Sequence, residues 1–456
     1  MASLPRIAAA DVHRVRRFDA VVLGAALPGI VAAIRLAQRG ARVLVVEEEA
    51  AARAHPGWRE PFLLWDSEPS GVLGACLRAL AVPLIDQRRL VADDLALQLV
   101  TRDARLDWGR AQLAAAELTS WGFAKPDDAR GLLAELAAAA EAVREALLAS
   151  TSPRRGATAP ARGATAPTQP VPPARWSDAL LETHPSLRGL LRELARALTD
   201  QAGLPHEPAT LRLLGALLGG GAVVAGDGGL RELLWRRLSS LFGERRAIAG
   251  PLRLVAASHL PAVEAIGVQE IWAGRVLLLN APREALAEVH EGPAPALLRG
   301  PAATHRRVGL HLRAPAGLLP EAMAPRLVVQ GDGAPIRVAR HPGPRAGGHD
   351  DFLLSTIASH AEDAESVRAR LERTLHELAP FCAPRLERRP APAVRWDRDD
   401  LVHEASSEAR DVGPGVRLST RPPVVSLEPG DSAAFGFEGS LLLGWRTGEE
   451  LLAELR

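Results

Sequence analysis

The chain has 456 residues, 47% hydrophobic and 24% charged, with a formal net charge of +1. That composition supports two or three ordinary globular domains and excludes a disordered or collagen-like chain. The near-neutral balance excludes a bulk field that would draw the protein onto nucleic acid or an anionic membrane.

Lys125 is the only lysine, and no Gly-Lys pair exists, so a P-loop is excluded and a Schiff-base enzyme would have to use Lys125. Cys76 and Cys382 are far apart and in no C-x-x-C spacing, which is the usage of reduced, buried thiols in a cytoplasmic protein. Residues 1–17 read as a polar leader without the apolar core of a signal peptide. The longest apolar stretch, Leu213–Ala225, is short and glycine-bearing, so no membrane span is expected, while peripheral membrane contact stays open.

In chain order, the first strong pattern is FDAVVLGAALPGIVAAIRLAQRGARVLVVEEE, from Phe18 to Glu49. Ala20–Leu23 is a short buried-strand run, Gly24–Gly29 a turn, Ile30–Gln38 a helix with apolar residues at helical spacing, and Val43–Val46 a second strand. Gly40 stands where a helix C-terminal glycine belongs. Such a unit binds nucleotides. Gly24 permits the sharp turn, Gly29 allows close helix–strand packing, and the helix N-terminus offers N–H groups to a pyrophosphate. Glu47, 23 positions after Gly24, is placed to accept bonds from a ribose hydroxyl, with Glu48 and Glu49 of less consequence. Position 26 departs from G-x-G-x-x-G: Ala26 brings a methyl group to the closest phosphate approach. The plain alternative is a βαβ unit with no ligand.

Residues 50–71 are irregular, and residues 72–150 read as mainly helical. Residues 151–175 repeat RGATAP and lack apolar periodicity, as a disordered linker does. Helical pattern resumes at Ser177–Leu198. GDGGLRELLWRRL then opens an amphipathic helix, followed by strand-like Leu252–Ala256, a hairpin around Val263–Trp272 and the strand RVLLLNAP. Thr304–Arg340 alternates as antiparallel strands do, Ala364–Leu378 is an amphipathic helix, and Val424–Leu427 and Leu441–Leu443 flank a glycine-bearing turn.

This order of pieces resembles the FAD-dependent amine oxidase and phytoene desaturase superfamily. Three places carry the resemblance: the βαβ unit, GDGGLRELLWRRL with its following strands, and Gly430-Asp431 with Gly436-Phe-Glu-Gly439-Ser440 before the final helix. The resemblance implies an α/β fold, an FAD/NAD(P)-binding Rossmann-type domain joined to a second α+β substrate domain. It implies that Val255 contacts the cofactor, that Asp431 reaches the ribityl–phosphate chain, and that Gly439 and Ser440 lie where a helix N-terminus faces the flavin. The family's Gly-Gly-Arg turn is matched by Gly57-Trp58-Arg59, with Trp in place of a glycine, so Arg59 joins the cofactor-binding candidates. Lys125 is the one candidate for a lysine beside the flavin, against a solvent-facing helix start.

No H-E-x-x-H or G-x-S-x-G pattern occurs, and no metal spacing. Neighbouring strands could bring His305 to His311 or His341 to His349; surface positions are the ordinary alternative. The basic stretches lack interleaved aromatics, so no nucleic-acid partner is expected.

The expected organisation is a discontinuous dinucleotide-binding domain from residues 1–75, 210–300 and 400–456, with a substrate domain from 76–209 and 301–399. The expected function is an FAD-dependent oxidoreductase acting on a hydrophobic or amine-bearing small molecule. Two alternatives stay open: NAD(P) on the same unit, and a degenerate relative with a scaffold or binding role. No catalytic residue is assigned.

Overall fold

In the computed structural model of the chain, strand Arg14–Leu23, helix Leu27–Ala37 and strand Val43–Glu48 form a parallel strand–helix–strand unit. The structure describes Leu4 and residues 14–149, 185–225, 229–257, 259–268, 270–300, 302–318, 323–331, 333–343, 348–404 and 411–455. The 151–175 repeat and residues 226–228 of the second glycine motif lie outside the described residues.

The first strand is longer than its apolar run. Arg14–Arg17, expected in a leader, pair in parallel register with Glu270–Ala273. Acids and an aromatic ring meet these charges: Arg16 donates to Glu244 at 2.7 Å, and Arg16 and Arg42 lie over the Phe18 ring. Ion pairing and cation–π contact let a polar segment extend a buried strand.

Helix Leu27–Ala37 starts earlier than expected, with Pro28 in its first turn, where a missing N–H removes no intrahelical bond. Ile30, Ile34 and Leu36 are fully buried, each contributing roughly 1.5–3 kcal/mol of burial free energy. Gly40 ends the unit at φ +84°, donating to the Ala37 carbonyl at 2.9 Å.

The main sheet runs 416–420, 423–426, 270–279, 14–23, 43–48, 244–248, and its five strands from 423–426 onward are parallel. Strands Leu252–Ala257 and Leu260–Ala265 attach as an antiparallel meander on Glu270–Leu279. Alternate residues feed opposite cores. Ala20 and Val22 pack with helices 27–37, 230–240 and 436–455; Val21 and Leu23 pack with Trp272, Leu286 and Trp396. Both faces are covered, as a parallel sheet requires.

A second sheet, mostly antiparallel, runs 387–389, 305–315, 349–359, 336–341, 326–329, 95–100, 105–109. Helix Ala364–Leu378 packs on it through Leu371 and Leu375. Residues 72–150 are mainly helical, as expected, through helices Val72–Ala79, Leu84–Gln87, Ala111–Ser120 and Pro126–Ala149. Strands Leu90–Asp93, Leu95–Val100 and Arg105–Gly109 fall inside that range. Leu95–Val100 pairs with Arg105–Gly109 and, in parallel, with Arg326–Val329. Pairing with a distant strand overrides local helix propensity.

The glycine-rich stretch Leu213–Ala225 divides into the end of helix Glu207–Ala216, a short 3-10 turn and strand Gly221–Val224. Among the described residues, no helix is long and apolar enough to cross a membrane.

Candidate functional site

Gly24 takes φ +103°, and a Cβ there would fall 2.8 Å from backbone atoms of Asn280 and Ala281. Only glycine lets the turn approach the end of the neighbouring strand this closely. Asn280 then occupies the turn from below. Its Oδ1 accepts from the Gly29 N–H at 2.9 Å, and its Nδ2 donates to the Gly24 and Ala26 carbonyls, each at 2.9 Å. A Cβ on Gly29 would lie 2.1 Å from Asn280 Nδ2, so the second glycine is required by this side chain.

The Ala25 N–H donates to Asp397 Oδ1 at 2.9 Å. The N–H groups of Ala26 and Leu27, next in line, meet no acceptor among the described residues. Ala26, Leu27 and Pro28 line a cleft of about 540 Å³. The methyl of Ala26 is thus compatible with an open helix N-terminus.

The acids at the end of the second strand divide their roles. Glu47 is buried and paired with Arg245, whose Nη2 lies 3.0 Å from Oε2; Glu47 does not line the cleft. Glu48 accepts the N–H groups of Arg395, Trp396 and Asp397 at 2.9, 2.8 and 3.2 Å. Asp397, in return, accepts the Glu48 N–H at 3.3 Å and two bonds from Arg59, at 3.0 and 2.8 Å. Burial alone would raise the Asp397 carboxyl; Arg59 beside it, with its hydrogen bonds, and the Ala25 N–H hold it below the usual carboxylate range. Burial, with Arg59 nearby, pushes Arg231 down to about 10, and burial raises the Glu60 carboxyl. Arg59 and Arg231 therefore share their surroundings with Glu60, Asp397 and Asp399, all lining the cleft.

The closing motif lies across the cleft. Asp431 sits on the short 3-10 helix Gly430–Phe435, and Gly439 and Ser440 in the first turns of helix Gly436–Leu455. Gly439 is a packing residue: a Cβ there would meet the Ser432 carbonyl at 1.8 Å. Ser440 and Phe437 line the cleft, and Phe437 packs edge-on against Trp65 at 4.4 Å between centroids. Glu428, just past strand Pro423–Ser426, also lines it and accepts from the Arg283 N–H at 2.9 Å and Nε at 2.7 Å. Val255 is buried in a separate cluster with Ala257, Ala262, Ile271 and Ala273. Lys125 is exposed ahead of helix Pro126–Ala149 and does not line the cleft.

Ala26, Arg59 and Ser440 thus share the cleft, Gly24 and Gly29 shape the turn at its edge, and Glu47 and Val255 point elsewhere. Sequence reasoning missed Asn280, Glu48 and Asp397. A signal for Asn280 was present: it is the one polar residue at the end of an otherwise apolar strand. Asp397 carried only the dense charge of RWDRDD.

The histidines that do come together are a different set from the pairs weighed in the sequence. His55 meets His311 and His341, with ring centroids 5.0 and 5.4 Å apart. His55, His311 and Asp351 have ligand types and spacing that could hold a metal ion. The same residues also bond to the backbone and to one another. The Gly57 N–H donates to His55 Nδ1 at 3.1 Å, which places the proton of neutral His55 on Nε2. His311 Nε2 and Arg313 Nε both sit on Asp351 Oδ1, at 2.6 and 3.1 Å.

The two open N–H groups at a helix N-terminus, beside Arg59 and Arg231, fit the diphosphate of a flavin dinucleotide in donors and position. The charge around them is already balanced by the neighbouring acids.

No protein-family model and no curated protein matches the chain. Solved structures do. An oxidoreductase from Methanosarcina mazei aligns with TM-score 0.54 at 14% identity, over 95% of this chain and 100% of that one. Putrescine oxidase bound to putrescine aligns with TM-score 0.53 at 13% identity, over 96% and 100%. The PF1083 protein from Pyrococcus furiosus aligns with TM-score 0.50 at 15% identity, over 96% and 98%. The chain shares its mixed α/β fold with these solved structures.

Proposed function

We propose that this protein is an FAD-dependent oxidoreductase acting on a small apolar or amine-bearing molecule. One observation carries the reading: the unpaired N–H groups of Ala26 and Leu27 open onto a cleft that also reaches Phe437, Ser440 and the second sheet. When bound, the flavin supplies a two-electron acceptor for hydride. The chain's own contribution is binding and exclusion of water. Ala26 and Leu27 would hold the diphosphate, with Arg59 adjacent. The first turn of helix Gly436–Leu455, at Phe437 and Ser440, places the positive end of a helix dipole where negative charge would be favoured. Trp58, Phe62, Val308 and Leu353 give the opposite wall an apolar surface. In this reading the segments 1–75, 210–300 and 400–456 form the nucleotide-binding half, and 76–209 with 301–399 the substrate half.

A second reading has a specific observation in its favour. The Asp397 carboxylate on Ala25 and the Arg245 pair on Glu47 support a degenerate turn with a scaffold or binding role. Titration of FAD and of NADPH into the purified full chain, followed by fluorescence and by the visible spectrum of bound flavin, tests both. Saturable FAD binding with a perturbed flavin spectrum is expected. Absence of binding by folded protein defeats the flavin reading; NADPH binding without FAD binding replaces it with a nicotinamide one.

A further inference from the structure

The corner of the glycine turn already holds an anion that belongs to the chain. Asp397 is 1% exposed, and its carboxylate receives the N–H groups of Ala25 and Glu48 and both arms of the Arg59 guanidinium. These are the donor types a phosphate uses at a helix N-terminus: backbone N–H groups and a forked cation. The remaining N–H groups, on Ala26 and Leu27, are one and two residues further on. A diphosphate accepting from them would stand beside this carboxylate.

Asp397 is not free to withdraw. Glu48 takes three successive N–H groups of its segment, and Trp396 is buried in the core on the far face of the main sheet. Nor is it free to lose its charge near neutrality, since Arg59 and the N–H donors favour the carboxylate. Arg59, a cation lining the cleft beside this turn, is committed to Asp397 in bidentate form. In a buried, low-dielectric corner, repulsion between like charges is weakly screened.

We infer that Asp397 is a specificity-determining residue of this turn, a resident carboxylate that weakens binding of a diphosphate ligand and engages the arginine that would receive it. The inference rests on the proposed nucleotide site. It makes affinity at this turn a balance between phosphate and Asp397 for Arg59. Uncharged parts of a ligand are indifferent to it.

The test is calorimetric titration of the full chain and of Asp397→Asn with FAD, ADP and adenosine. Asparagine keeps an acceptor for the Ala25 N–H and removes the charge. FAD and ADP are expected to bind Asp397→Asn at least tenfold more tightly, about 1.4 kcal/mol, with adenosine unchanged. Equal binding of ADP by parent and variant overturns the inference and leaves the nucleotide site standing. An equal gain for adenosine also overturns it, because the effect is then not one of charge. No binding of FAD or ADP by either folded protein overturns the site, and the inference with it. Should Asp397→Asn fail to fold, Arg59→Gln/Asp397→Asn removes both charges and leaves neither buried alone. ADP affinity at or above that of the parent is expected there, and a tenfold fall overturns the inference.

Discussion

Glu48 and Asp397 hold each other: the Glu48 carboxylate accepts the Asp397 N–H at 3.2 Å, and the Asp397 carboxylate accepts the Glu48 N–H at 3.3 Å. The arrangement resembles a capping box spread over two distant segments, each acid satisfying the other's backbone. It pins residues 395–397 over the end of the second strand. The acid there with the largest structural duty is therefore Glu48, one position beyond the residue that spacing singles out.

Glu48→Gln is expected to cost about 2–4 kcal/mol, because an amide cannot satisfy three buried N–H groups that now share a carboxylate. Glu47→Gln is expected to cost about 1 kcal/mol or less, since its partner Arg245 is 44% exposed and can turn to water. Urea denaturation of the two variants side by side measures the difference. Equal losses, or a larger loss for Glu47→Gln, contradict the clamp.

Gly29 and Asn280 form a steric and hydrogen-bonded pair. Gly29→Ala is expected to lose about 2–4 kcal/mol through collision with the Asn280 side chain. Asn280→Ala is expected to lose about 2 kcal/mol by stranding the Gly29 N–H. The double variant should lose less than the sum, by about 1 kcal/mol or more, because the alanine at 280 makes room for the methyl at 29. Strict additivity in a denaturation cycle would show that the two side chains do not meet.

His341 supplies a pH dependence. Burial, then Arg326 and His55 nearby, push its imidazole down to about 4, while an unfolded histidine titrates near ~6.5. The unfolded chain binds more protons between these values. The contribution of His341 is full above pH ~6.5 and is lost as pH falls through about 4. Its Nε2 is buried and has no partner among the described residues, so His341→Leu is expected to keep or raise stability at neutral pH. The variant should also flatten the decline between those limits. An unchanged pH slope in stability measurements would remove His341 as the source.

Cys76 is buried on helix Val72–Ala79, and burial pushes its thiol up to about 12. A thiol reagent at pH ~8 is expected to leave Cys76 unmodified in the native protein and to modify it after unfolding, as read by peptide mass. Rapid native labelling would mean that this helix opens readily.

Local pattern was sufficient for the strand–helix–strand unit, for the left-handed glycines at 24 and 40, and for helix Ala364–Leu378, because apolar spacing and glycine placement report directly on backbone geometry. It failed for Leu95–Val100 and Arg14–Arg17, whose strand character comes from partners elsewhere in the chain. The candidate site was legible only as an outline. Gly24, Ala26 and Gly29 could be read as a turn, yet what occupies that turn is Asn280, 251 residues from Gly29, and Asp397, 372 residues from Ala25. A hydrogen bond needs its donor and acceptor within about 3 Å, and periodicity along one segment carries no information on which distant side chain arrives there. That choice belongs to the topology. Insertion of strand Glu270–Leu279 beside Arg14–Leu23 brings Asn280 under the turn, and burial of Trp396 beyond the sheet brings Asp397 over it.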